Sequence, residues 1–172
     1  MAFGRRSILI AAAALGSGRA RAAAIAPERF LWMQNAAGEE VAVAFRAGEE
    51  YIPAAIARLR HLLRDVHAGV EGPMPPLLLD MLSVLQEGWD YSRPIIVRSG
   101  YRTPLSNAAI EGAARRSLHL HGQAVDMAVP GISADELGTR AAGLARRLGF
   151  MGVGAYPSFV HLDIGPQRVW TR

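Results

Sequence analysis

Two short segments of this chain carry imidazole and carboxylate side chains at spacings that suit metal-assisted hydrolysis. His119 and Asp126 lie seven residues apart, and His161 follows 35 residues after Asp126. Cysteine is absent, so any metal must be held by histidine and carboxylate ligands. Three such ligands leave zinc one open coordination position, which distinguishes a catalytic zinc site from a structural one. The sequence therefore predicts one zinc ion bound by His119, Asp126 and His161.

Strand alternation explains how ligands so far apart in the chain can meet. Residues 123–129 and 159–164 are predicted strands, with Asp126 inside the first and His161 inside the second. Successive side chains of a strand point to opposite faces, so Asp126 shares its face with two alanines. If the two strands are neighbours, Asp126 and His161 project from the same face, and His119 need only fold back over it.

The loop before the first of these strands leaves one ambiguity. His121 competes with His119 as a ligand, although it would point to the opposite side if the local chain is extended. Gly122 allows a tight turn at this point. His119 is therefore the expected ligand.

The elements that must position these residues follow from the hydrophobic pattern, which predicts an α+β fold with helices packed on one mostly antiparallel sheet. Residues 103–118 are predicted as an irregular loop with at most one helical turn. The N-terminal part is predicted to form a hairpin with its turn at 35–38. Three helices are predicted: one that begins at Pro53 and stops by Gly69, one over 78–89 and one over 133–149. The other predicted strands are 94–97, 123–129, 153–156, 159–164 and 168–170.

Charge and length exclude some classes of protein. The chain has 172 residues, which suits one domain. Its formal net charge of +4 is matched by four arginines in residues 1–24, which contain no acid, so the remainder is close to neutral. A near-neutral body lacks the electrostatic footprint of a nucleic-acid-binding protein, and no nucleic-acid partner is expected.

Residues 1–24 have the layout of an export signal. Arg5 and Arg6 precede a short apolar run, and alanine-rich triplets follow it. The paired arginines are typical of the twin-arginine type, although a disordered or helical tail would fit the same residues. The apolar run is too short to span a bilayer, so no permanent membrane anchor is expected. The predicted organisation is a signal at 1–24 and a single domain at 25–172, located in the periplasm or cell envelope.

The motifs around these residues resemble a known family of peptidases. The similarity covers about Ile95 to Trp170, and its three ordered segments are Ser99-Gly100-Tyr101-Arg102, Ser117-x-His119-x-x-Gly122-x-Ala124-x-Asp126 and Phe159-Val160-His161-Leu162-Asp163. They resemble the zinc D-Ala-D-Ala metallopeptidase group, and most closely its murein endopeptidase K branch. The resemblance implies a hedgehog/peptidase-like fold, in which a small antiparallel sheet is flanked by helices.

The resemblance also implies roles for individual residues. The positions that match His119, Asp126 and His161 bind zinc in that group. The position of Arg102 lies beside the substrate carbonyl, where a guanidinium would stabilise a developing oxyanion. Ser117 and Tyr101 fall at positions expected to contact the substrate.

One departure from the wider group concerns the general base. Many of its members carry an acid three residues before the last histidine, where this chain has Ser158. Asp163 is the nearest replacement, about 6.6 Å along the same strand face from His161. Asp163 could act directly as the catalytic base, or it could orient His161 as a supporting carboxylate.

These observations predict an exported zinc endopeptidase that hydrolyses peptide cross-links of peptidoglycan. Two alternatives use the same residues. A carboxypeptidase or dipeptidase would trim free stem peptides instead of cross-links. A non-catalytic, zinc-stabilised wall-binding module is the other alternative, because Ser158 replaces the expected base.

Overall fold

A single eight-stranded sheet organises residues 27–172, the part of the chain that this computed structural model describes. The predicted export signal at 1–24 lies outside the described residues. Within the described part, no helix combines the length and apolarity needed to cross a membrane. The elements are β1 (Glu28–Asn35), β2 (Glu40–Ala47), β3 (Glu50–Tyr51), α1 (Pro53–Leu62), α2 (Pro76–Gln86), β4 (Ile95–Ser99), α3 (Pro104–Ala109), β5 (Ala124–Ala128), α4 (Ala134–Leu148), β6 (Gly152–Tyr156), β7 (Phe159–Asp163) and β8 (Arg168–Thr171).

The prediction of a small antiparallel sheet is wrong in size, and two of the strand pairs are parallel. The strand order is β3-β2-β1-β4-β5-β7-β6-β8. The pairs β1–β4 and β6–β8 are parallel, and the other neighbours are antiparallel. The sheet is larger than predicted because β1 of the N-terminal hairpin pairs with β4, which lies about 60 residues further along the chain.

The predicted N-terminal hairpin is confirmed. The side-chain oxygen of Asn35 accepts hydrogen bonds from the backbone N–H groups of Ala37 and Glu39, at 3.0 and 3.1 Å. Gly38 has a φ of 81°, a left-handed conformation that glycine adopts without a steric penalty. These local contacts close the turn at the predicted residues.

The helices α1, α2 and α4 cover one face of the sheet and form the core with it. Val125 and Met127 of β5 are completely buried there, as are Val160 and Leu162 of β7. Ser133 caps α4 by accepting a hydrogen bond from the N–H of Glu136 at 3.1 Å, which confirms the predicted start of this helix. Since the core occupies one face, the alternate residues of β5 and β7 are free to build a site on the other.

The first helix is shorter than its apolar pattern predicts, because it ends at Leu62 and does not continue to Gly69. The buried carboxylate of Asp65 accepts hydrogen bonds from the N–H of Ala68 and from the N–H and hydroxyl of Thr103. Burial alone would raise the pKa of Asp65, but its hydrogen bonds, including one from Ser106, outweigh burial and lower the pKa to about 2. This carboxylate diverts the chain into a turn and ties it to the segment that carries Arg102.

Candidate metal centre

The strands β5 and β7 place two of the predicted ligands directly opposite each other. Asp126 pairs with His161 in the antiparallel register, so both side chains leave the sheet on the same face. Both side chains are largely buried, with 10% exposure for Asp126 and 13% for His161. The prediction that these two strands are neighbours in the sheet is therefore confirmed.

A short 3-10 helix, Leu118–His121, brings the third side chain over that face. Ser117 caps it by accepting a hydrogen bond from the N–H of His119. Gly122 ends it in the left-handed conformation with a φ of 61°, and a Cβ there would collide with the backbone oxygen of Pro73. The tight turn predicted at Gly122 is thus present, and it requires glycine.

Three side-chain atoms converge at this point. Nε2 of His119 lies 3.2 Å from Oδ1 of Asp126 and 3.2 Å from Nδ1 of His161. Nδ1 of His161 lies 2.8 Å from the same Oδ1 atom. Each of the three residues offers one atom to a common centre.

Each imidazole has an acceptor for its other ring nitrogen. Nδ1 of His119 lies 2.6 Å from the carbonyl oxygen of Gly100, and Nε2 of His161 lies 3.0 Å from Oδ2 of Asp163. If each of these nitrogens carries the proton, the nitrogen that faces the centre presents a lone pair. A carbonyl or carboxylate behind the ring is the usual support of a metal-binding histidine.

The convergence of these atoms fits a bound cation. Two imidazole lone pairs and one carboxylate oxygen repel one another unless a positive charge lies between them. Burial alone would raise the pKa of Asp126, but its contacts with the imidazoles of His119 and His161 and the charge of Arg102 hold that pKa well below its usual range. Asp126 therefore stays ionised and available as a ligand. The nitrogen and oxygen donors and their number suit zinc.

His121, the alternative ligand, is exposed, and the cluster at the centre comprises His119, Asp126 and His161. The 3-10 turn points His121 away from the two strands while it buries His119. Of the two histidines in this loop, the structure brings His119 to Asp126 and His161, the other two candidate ligands.

Arg102 lies in the centre as an ion-pair partner of Asp126. Its Nη2 contacts Oδ2 of Asp126, the carboxylate oxygen that does not face both histidines. Its Nε donates to Ser99 Oγ at 2.7 Å, and its side chain is only 12% exposed. The guanidinium is therefore fixed beside the proposed metal position and lines the cleft.

Asp163 lies behind His161 and is completely buried. Its Oδ1 accepts hydrogen bonds from the N–H groups of Gly165 and Gly152, and both of its oxygens accept from Arg168. Burial alone would raise the pKa of Asp163, but these contacts and the one with His161 lower it. A buried carboxylate with both oxygens engaged is suited to orienting His161 and is poorly placed to reach a substrate.

Position 158, where the wider group often has an acid, lies near a cation. Ser158 Oγ accepts a hydrogen bond from Nη1 of Arg98 at 3.2 Å. This part of the site offers positive charge and a hydroxyl group in place of a proton-accepting carboxylate. Sequence reasoning did not find Arg98, since its contact spans 60 residues.

The two predicted substrate-binding residues have structural contacts of their own. Ser117 lines the cleft as well as capping the 3-10 helix. The ring of Tyr101 packs so closely against Gly72 that a Cβ at that glycine would collide with it. Their contacts with substrate stay predictions.

An open cleft runs across the centre and has two recesses. The larger one, of about 770 Å³, is lined by Ser117, Glu111, Trp170 and the three candidate ligands. The second, of about 590 Å³, shares Arg102 and Asp126 with the first and extends towards α1. Glu111 went unnoticed in the sequence because the loop that carries it has no regular pattern.

Replacing Asp163 with asparagine should weaken zinc binding by about 10- to 100-fold, because His161 would lose its charged support. At saturating zinc, kcat should return to within a few-fold of the wild-type value. Zinc affinity from a competing chelator and kcat at several zinc concentrations would check this. Asp135→Asn, at an exposed position of α4, is the matched control. A 100-fold loss of kcat with unchanged zinc affinity would instead assign Asp163 direct proton transfer.

Comparison with known proteins gives one family and several relatives. The family model described as peptidoglycan L,D-endopeptidase MepK matches residues 23–170. The chain is 38% identical over 149 residues to peptidoglycan L,D-endopeptidase MepK of Escherichia coli K12, covering 83% of this chain and 80% of that protein. It is 31% identical over 140 residues to the probable peptidoglycan L,D-endopeptidase MepK of Haemophilus influenzae, covering 77% and 73% of the two chains.

Proposed function

We propose that this chain, which belongs to the peptidoglycan L,D-endopeptidase MepK family, is an exported zinc peptidase that hydrolyses peptide cross-links of peptidoglycan. The observation that carries the proposal is the convergence of His119, Asp126 and His161 at the floor of an open cleft. The relatives' names supply the substrate class, and the donor atoms support the metal.

The three converging side chains would hold the zinc ion. When bound, zinc supplies Lewis-acid activation of the scissile carbonyl and of the attacking water. The carbonyl oxygen of Gly100 and the carboxylate of Asp163 contact the outer nitrogens of the two imidazoles and would leave the inner nitrogens available to hold the ion. This support fixes the ligands before substrate arrives and reduces reorganisation during the reaction.

Arg102 would stabilise the oxyanion that develops as the amide carbonyl is attacked. Its guanidinium is anchored through Ser99 and Asp126, and it lines both recesses of the cleft. A fixed donor in a partly dry site stabilises a developing charge more than a mobile one in water does. Ser117 lines the larger recess, where its hydroxyl group would donate a hydrogen bond to the peptide or accept one from it.

Hydrolysis needs a side chain that is accessible from the cleft and can accept a proton from the attacking water. Asp163 is buried and fully engaged, and Asp126 is held ionised by its partners. Glu111 is exposed and is the other carboxylate among the described residues that line the larger recess. Glu111 is therefore our candidate for the proton-accepting role, on the ground that it lines the same recess as the three candidate ligands.

The shape of the cleft supports an endopeptidase. A cross-link continues on both sides of the bond to be cut, so its enzyme must accommodate chain in both directions. The larger recess contains the candidate centre, and the smaller recess adjoins it through Arg102, Asp126 and Phe159, so the cleft extends beyond the centre in more than one direction. An enzyme that removes terminal residues needs space mainly on one side.

Digestion of purified peptidoglycan sacculi in the presence of zinc tests the function. We expect cross-linked dimer muropeptides to decrease and their monomers to increase, as measured by chromatography with mass analysis. Loss of a terminal residue from monomers with constant dimers would indicate a carboxypeptidase. Binding to sacculi without any change in muropeptides at saturating zinc would indicate a non-catalytic wall-binding module.

A further inference from the structure

A β-bulge in β4 sets the position of Arg98. Val97 pairs with Met127 of β5, and Ser99 pairs with Asp126, which is directly adjacent to Met127 on the antiparallel strand. Arg98 is therefore an extra residue on β4 at this step. Bulges of this kind redirect a side chain, and they are frequent beside active sites.

The Arg98 side chain is held on the cleft side of the sheet by two contacts. Because β5 lies between β4 and β7, the side chain must reach across β5 to approach β7. Its Nη1 donates to Ser158 Oγ at 3.2 Å, and its guanidinium carbon lies 5.8 Å from the centre of the Phe159 ring. Stacking on an aromatic ring stabilises a guanidinium while its outer N–H groups remain available.

Arg98 has no carboxylate partner among residues 27–172, whereas Arg64 and Arg102, the other two arginines of the smaller recess, each have one. Arg64 pairs with Glu39, Arg102 with Asp126 and Arg168 with Asp163. Arg98 is exposed and lines the smaller recess together with Arg102 and Phe159. The recess therefore contains one preorganised cation whose charge the described part of the protein does not neutralise.

The substrate class of the proposed function offers an anion for such a cation. An L,D-endopeptidase cuts an amide that joins an L-configured carbon to a D-configured carbon. The nitrogen of this amide is an amine of an amino-acid residue. When that residue is cross-linked through this amine, its own carboxyl group stays free unless it is amidated. A guanidinium recognises a carboxylate through paired charge-assisted hydrogen bonds.

We infer that Arg98 is a specificity-determining residue that binds a free carboxylate of the cross-linked peptide in the recess beside Phe159. The inference rests on the proposed function, because it assigns a subsite to the same cleft. Ser158 and Phe159 orient the guanidinium, and the bulge in β4 directs it to the cleft. The enzyme thus distinguishes cross-links whose carboxyl group is free from those in which it is amidated.

Two synthetic cross-linked peptide dimers, identical except for a free carboxylate or a carboxamide beside the scissile bond, would test this inference. The wild-type protein should hydrolyse the free acid with a kcat/KM about tenfold higher than that of the amide. Arg98→Gln should remove this preference by lowering kcat/KM for the free acid about tenfold more than kcat/KM for the amide. Arg98→Lys should give an intermediate preference, since an ammonium keeps the charge and loses the paired geometry.

The amide substrate is an internal control for folding and metal content, and Arg147→Gln on the exposed face of α4 is the matched variant. Equal hydrolysis of both dimers by the wild-type protein would overturn the Arg98 inference and leave the endopeptidase function intact. A preference that survives in Arg98→Gln, or an equal loss on both dimers, would also overturn it. If the wild-type protein with zinc cleaves neither dimer, the proposed function fails, and the inference fails with it.

Discussion

Replacement of Asp126 by alanine is expected to reduce the hydrolysis of peptidoglycan cross-links by about a thousandfold or more, because a metal supplies several kcal/mol of transition-state stabilisation. Asp126 is the one anionic member of the candidate centre, and it contacts both histidines and Arg102. Without it, two neutral imidazoles would remain to hold the ion. Released monomers from sacculi and bound zinc should therefore be lost together.

Loss of Asp126 also leaves the largely buried Arg102 without its partner, and such a change can cost about 3–5 kcal/mol of folding stability. Thermal unfolding must be followed for each variant. His119→Ala and His161→Ala should lose zinc and activity without removing the partner of Arg102. His121→Ala is the matched control, since this histidine belongs to the same 3-10 helix as His119 but its side chain is exposed. Full activity of Asp126→Ala at wild-type rates would contradict the mechanism.

Replacement of Arg102 by alanine is expected to lower kcat by about 100- to 1000-fold, the usual effect of removing one oxyanion donor. KM should change little, because the interaction strengthens as charge develops on the carbonyl oxygen. Steady-state kinetics on a cross-linked peptide at saturating zinc would measure both constants. Saturating zinc is needed because Arg102 also holds Oδ2 of Asp126.

Arg102→Lys separates charge from geometry. A lysine ammonium cannot bridge Ser99 and Asp126 with a planar fork, so we expect it to recover only part of the lost rate. Arg58→Ala, on an exposed turn of α1, is the control for loss of a surface arginine. If Arg102→Ala kept wild-type kcat and bound zinc normally, the guanidinium would be a structural ion-pair partner only.

The same-face placement of Asp126 and His161 could be predicted because strand alternation is a local property. Each residue lies in a short apolar strand, and one antiparallel pairing brings the two together. The tight turn at Gly122 and the cap at Ser133 were predictable for the same reason, since both depend on residues close in sequence. The motif spacing added the resemblance that connected these residues to zinc and peptidoglycan.

Features that depend on distant contacts were not predictable. The sheet was underestimated because the parallel pairing of β1 with β4 joins segments about 60 residues apart. The end of α1 at Leu62 depends on the contact between Asp65 and Thr103, which no periodic pattern encodes. The surroundings of Asp163 depend on how three strands pair, since Gly152 of β6 and Arg168 of β8 both donate hydrogen bonds to it. The sequence alone could therefore not distinguish whether Asp163 orients His161 or acts as the catalytic base.

The central claim is tested most directly by titrating zinc into the purified, metal-free protein and measuring the heat of binding by calorimetry. The same titration is carried out on Asp126→Ala and His121→Ala. The account predicts one zinc ion per chain for the wild-type protein and for His121→Ala, with binding lost in Asp126→Ala. Absence of stoichiometric zinc binding by the wild-type protein, or equal binding by Asp126→Ala, would contradict it.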